Sequence, residues 1–122
     1  MAHANLHMAV GMAAATAVTM WPVLTALRTR AALARPVARM LLSSYALGAW
    51  AVMPNFLTSA GMSASVHRRP WANLFVGHAF IDAHNDGGLL VGELVMIAIL
   101  ALHFGLLVLG VGRARPGGPL QR

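Results

Sequence analysis

Residues 78–93, His-Ala-Phe-Ile-Asp-Ala-His-Asn-Asp-Gly-Gly-Leu-Leu-Val-Gly-Glu, hold every acidic side chain of the protein, Asp82, Asp86 and Glu93, together with His78 and His84. Imidazole and carboxylate together suit zinc, iron or copper(II), and nearby thioethers from Met8 and Met12 would move the preference toward copper(I). His78 and Asp82, four apart, share one face of any helix formed there. His3 and His7 have the same spacing, at which one helical face offers two imidazoles to a single ion, although ordinary interfacial histidines fall at that spacing too. The residues expected to ligate a metal are His7, His78, Asp82, His84 and Glu93. Asp86 also has a plainer use as a helix N-cap, its carboxylate accepting from free backbone amides.

His103 raises a different chemistry. A lone imidazole deep in apolar sequence is what axial ligation of a haem or of a chlorophyll-type magnesium requires. Its plainer reading is a neutral histidine hydrogen-bonded between helices. The absence of cysteine excludes disulfides, thiolate metal sites and covalent haem attachment through a cysteine pair. No nucleophile-base arrangement, phosphate loop or dinucleotide fingerprint is present, so catalysis by the isolated chain is not expected.

The elements that carry these residues are set by hydrophobicity. Of 122 residues 58% are apolar and only 10% charged, with a mean hydropathy of +0.67, whereas a soluble domain carries about 25% charge. The composition is that of an all-α membrane protein. Three apolar runs reach the length of about 20 residues that a helix needs to cross the hydrocarbon core. They predict transmembrane helices at about 5–27, 37–62 and 87–112, a basic tail at 113–122, and one small membrane domain overall. With no Lys or Arg in residues 1–7, the first apolar run lacks the basic region of a signal peptide and is read as a retained helix.

All nine basic residues are arginine, and their placement matters more than the formal charge of +6. Arg28, Arg30, Arg35 and Arg39 fill the first connection and Arg113, Arg115 and Arg122 the tail, against Arg68 and Arg69 in the second connection. That asymmetry predicts an extracytoplasmic N-terminus and a cytoplasmic C-terminus, in a bacterial cytoplasmic (inner) membrane. It accounts for the basicity by topology and anionic lipid, with no nucleic-acid partner.

The second connection is too long and too apolar for a plain turn. Its segment from Pro70 is expected to form a short interfacial helix over about 70–83, with Trp71, Leu74, Phe75 and Phe80 in lipid or against the bundle. In this topology five histidines, His67 among them, and all the carboxylates fall at the extracytoplasmic side, and His7 or Met8 lies at the depth of Glu93. Pairs of small residues four apart, Gly11/Ala15, Ser44/Gly48 and Gly88/Gly92, predict close helix contacts. Pro22 is expected to kink the end of the first helix, and Pro54 to interrupt the second.

Three helices offer little interior for Glu93, His103 and three small-residue faces. The first functional expectation is therefore an accessory or anchor subunit, packed against other membrane subunits or further copies of itself. The alternatives are a metal-binding protein or metal-dependent membrane enzyme using the His/carboxylate face, with copper, zinc or iron, and a haem- or pigment-bearing electron-transfer anchor.

Overall fold

The computed structural model describes residues 4–84 and 89–114, and every regular element among them is helical. Helix α1 spans Ala4–Arg28, α2 Ala34–Ala51, α3 Met53–Ser59, α4 His78–His84 and α5 Leu89–Ala114. Two short 3-10 segments, Ala64–Arg68 and Pro70–Leu74, lie between α3 and α4. The expectations at His3, Asp86, Gly88, Arg115 and Arg122 lie outside the described residues.

Helices Ala4–Arg28 and Leu90–Arg113 are long and apolar enough to cross a membrane, with mean hydropathies of 1.6 and 2.7. The pair Ala34–Ala51 and Met53–Ser59 passes the same test only when taken together, and it is bent by 44°. The bend has a covalent cause. Pro54 has no amide hydrogen and its ring crowds the carbonyl four residues back, so α2 stops at Ala51 and Pro54 enters the first turn of α3. Pro22, by contrast, is carried inside α1. Thr25 Oγ1, three residues on, donates to the Trp21 carbonyl at 3.0 Å.

Helix α1 packs against both α2 and α5. It runs antiparallel to α2: Gly11 sits against Gly48 at one end of the bundle, and Val23 and Ala26 share a buried cluster with Val37, Met40 and Leu106 at the other. Close helix contacts occur at Gly11, Gly48 and Gly92. A Cβ on Gly11 would lie 2.6 Å from the Leu47 carbonyl oxygen and 3.0 Å from Gly48 Cα. A Cβ on Gly92 would lie 2.9 Å from the Leu6 amide nitrogen, so the start of α5 meets the start of α1 backbone to backbone. Met8 and Met12 fill the space above Gly48, where a Cβ would meet their Cγ atoms at 3.3 and 2.7 Å. Both methionines thus pack against α2.

The expected interfacial helix over 70–83 is two pieces. After Pro70–Leu74 the backbone turns through Val76 at φ 56° and Gly77 at φ 69°, and the α-helix begins only at His78. Positive φ ends a helix because it breaks the right-handed run of dihedrals. The turn is held at both sides: Trp50 Nε1 donates to the Leu74 carbonyl at 3.1 Å, and the Phe80 amide donates to Asn73 Oδ1 at 2.9 Å. The rings of Trp50 and Phe75 lie 4.8 Å apart. Residues 64–84 thereby form a cap over the end of the bundle where α1 begins and α2 ends.

Candidate metal centre

Four side chains from three segments meet beneath the cap. His7 comes from the first turn of α1, His67 from the first 3-10 segment, and His78 and Asp82 from successive turns of α4. The three rings are each 3% exposed or less, and Asp82 is 9% exposed. His7 Nε2 lies 3.1 Å from Asp82 Oδ1, while His67 Nδ1 and His78 Nε2 lie 3.5 and 3.6 Å from Asp82 Oδ2. His67 Nδ1 is 2.7 Å from His78 Nε2, and the His7 and His78 rings stack at 3.7 Å with planes 18° apart. One ligand atom from each of His7, His78 and Asp82 fits within a 4.8 Å span.

The tautomer of His78 follows from its partners. Its Nδ1 faces the Ala51 carbonyl oxygen at 3.1 Å, an acceptor only, so the proton of the neutral ring sits on Nδ1. Its Nε2 then accepts from His67 Nδ1, 2.7 Å away, and lies 3.6 Å from Asp82 Oδ2. Burial is the largest influence on the ring's proton affinity, and the nearby His7 acts in the same direction. The Ala51 carbonyl and Asp82 oppose them without cancelling them, and the pKa falls from 6.5 to about 4. At neutral pH His78 is therefore a neutral donor. Metal-bound histidines commonly give their second N–H to a backbone carbonyl, as His78 Nδ1 does to Ala51.

The sequence-expected residues divide by helical phase. His78 and Asp82 share a face, as four-residue spacing requires. His84, two residues past Asp82, is turned by about 200°; it is exposed, with Nδ1 2.8 Å from the Phe80 carbonyl and its ring stacked on Phe80 at 4.2 Å. Glu93 is at the expected depth but in the wrong phase. Gly92 takes the position facing Leu6, so Glu93, about 100° further round, is exposed on α5. His7 pairs with Asp82 in place of Glu93. His67 was not among the expected ligands, although it fell on the same side of the membrane as the others. The only signal for it was that shared side, and two arginines follow it in a stretch that reads as a loop.

His103 belongs to a second buried group, midway along the bundle. Its Nε2 lies 2.9 Å from Thr16 Oγ1, which lies 2.9 Å from Ser44 Oγ, and Ser44 in turn donates to the Met40 carbonyl at 2.8 Å. This chain of bonds joins α5, α1 and α2. One nitrogen of the ring is thus engaged by a hydroxyl, while Nδ1 has no hydrogen-bond partner among the described residues.

Beside this cluster a cleft of about 400 Å³ is lined by Ala64, His67, Arg68, Ala79, Asp82 and Ala83. His67 and Asp82 form its inner wall. Comparison with protein-family models, with curated proteins and with solved structures finds no match to this chain. The functional reading rests on the geometry.

Proposed function

We propose that this chain is an integral membrane protein that holds one divalent transition-metal ion among His7, His67, His78 and Asp82. The reading places three spans in the membrane, N-terminus out and C-terminus in, with the ion beneath the cap at the extracytoplasmic end. The observation that carries it is the convergence of three imidazoles on one buried carboxylate, with the His78 lone pair aimed inward by the Ala51 carbonyl. Burying four ionisable groups together is costly unless they neutralise one another or share a cation. A donor set of nitrogen and oxygen without thiolate fits zinc, iron(II) or copper(II).

The test is metal analysis of the full chain purified in mild detergent, with the His78→Ala and His84→Ala variants beside it. One ion per chain is expected in the parent and in His84→Ala, and none in His78→Ala. Equal metal in all three, or none in the parent after supply of zinc, iron(II) and copper(II), overturns the reading.

A second reading, the accessory subunit, draws on α5. Only 17% of its most apolar stretch is buried, against 33% for α1, and Glu93 is exposed on its surface. A carboxylate on an apolar membrane helix is costly unless it meets protein, water or the interface. The two readings are compatible, and a stable co-purifying chain whose association depends on Glu93 would establish the second.

A further inference from the structure

The cleft beside the centre decides what kind of ligand a bound ion would meet. Metal sites that serve only to hold a fold are closed by protein ligands, whereas sites that act on other molecules keep a position open. All four side chains are buried, and His67 and Asp82 line the cleft whereas His7 and His78 do not. An ion held by the three whose ligand atoms lie within 4.8 Å, His7, His78 and Asp82, would have its fourth position on the side of His67 and the cleft. The cleft is also kept empty by small side chains: Ala64, Ala79 and Ala83 line it with methyl groups, and α4 contributes two of them in the turns that carry His78 and Asp82. Its volume of about 400 Å³ is at the low end for small-molecule pockets, which run from about 300 to 1,000 Å³.

Charge then selects the ligand. A divalent ion adds two positive charges, Asp82 removes one, the histidines are neutral as ligands, and Arg68 on the cleft wall adds one. Among the described residues lining the cleft there is no carboxylate besides Asp82. The loaded cleft is net positive. Its guanidinium presents paired donors that match a carboxylate, and its three methyl walls leave room for a short apolar body.

We infer that the metal-loaded protein binds a small organic carboxylate in the cleft lined by Ala64, His67, Arg68, Ala79, Asp82 and Ala83, the carboxylate held between Arg68 and the open side of the ion. The inference rests on the proposed metal centre. It assigns roles that the metal reading does not need: Arg68 binds the anion, and Ala79 leaves space for it.

The experiment uses the full chain in detergent loaded with cobalt(II), whose visible spectrum reports both occupancy of the site and a change of ligands, titrated with propionate. The expected result is a cobalt spectrum that shifts saturably with propionate. Arg68→Gln should weaken the propionate Kd about tenfold, the scale of losing a charge-assisted pair. Ala79→Leu should keep the cobalt spectrum and lose the shift, because the added side chain fills the cleft without touching a ligand. Failure of the parent to bind cobalt, zinc, iron(II) or copper(II) overturns the metal centre and this inference with it. A well-formed cobalt spectrum that propionate leaves unchanged overturns this inference alone and leaves a closed metal centre. A shift that is the same in Arg68→Gln and Ala79→Leu also overturns it, since the anion would then bind elsewhere.

Discussion

The ring of His7 lies flat on the ring of His78, 3.7 Å away and within 18° of parallel, and by this contact the start of the first helix is joined to the cap that folds back over it. The two residues are seventy-one positions apart by their numbers. Asp82 bonds to His7 from the same helix that carries His78, so the carboxylate and the stacked ring grip α1 together.

Asp82 is expected to dominate metal binding. Asp82→Asn keeps the shape but removes the negative charge on which all three imidazoles converge, and should lower affinity for zinc by at least about 100-fold, the upper end of what losing a group hydrogen-bonded to a ligand costs. Competition with a chromophoric chelator measures it. An unchanged affinity would remove the carboxylate from the ligand set.

Glu93→Gln provides the contrast. The side chain is exposed on α5 and outside the cluster, so metal content should match the parent within the error of elemental analysis. A loss of metal would mean that Glu93 reaches the ion by a rearrangement of α5.

Helix contact at the two glycine crossings should be intolerant of bulk. Gly11→Leu would drive a side chain into the Leu47 carbonyl, and Gly92→Leu into the Leu6 backbone, neither of which can yield as a flexible side chain would. Each should destabilise the bundle by about 1–3 kcal/mol or more, read as a lower thermal midpoint in detergent. Gly105→Leu is the control, because nothing lies within 4 Å of its Cβ position.

The mid-bundle chain is expected to contribute modestly. Thr16→Val removes the hydroxyl between Ser44 and His103; Ser44 keeps its bond to the Met40 carbonyl, and His103 Nε2 loses its partner. Interhelical hydrogen bonds in membranes contribute about 0.6 kcal/mol on average and up to about 1.7, so Thr16→Val should cost about that much and Thr16→Ser little. A double-mutant cycle with His103→Leu isolates the coupling. An absence of absorption in the haem region from the parent would agree with His103 serving as a helix contact.

The metal-free protein should weaken on mild acidification. Burial lowers His78 from 6.5 in the unfolded chain to about 4 in the folded protein. Between those values the unfolded chain holds a proton that the folded one does not, so stability is lost as pH falls from about 6.5 toward about 4. His7, His67 and Asp82 face the ring, and His78→Asn separates its share by flattening the dependence. Thermal midpoints at pH 7 and pH 5 in the presence of a chelator check the sign. A parent no less stable at pH 5 would contradict it.

Hydrophobic run lengths are a local property, and so the sequence alone determined the helical class and the places where apolar helices form. The small-residue pairs were legible for the same reason: Gly11 and Gly48 mark a face whatever lies opposite. Pro54 marked its bend because the missing amide is covalent. His78 and Asp82 were legible as a pair since their spacing is one helical turn. Phase between elements is not local. Whether Glu93 or Gly92 turns toward α1 depends on how α5 is rotated about its axis, and the need for a backbone-to-backbone contact at Leu6 settles that rotation against Glu93. His67 joins the centre only because Val76 and Gly77 turn the chain with positive φ and fold α4 back beneath the preceding segment. The residue types for metal chemistry were written in the sequence; which of them share one small volume was decided by helix rotation and by one turn of the backbone, which no spacing along the chain encodes.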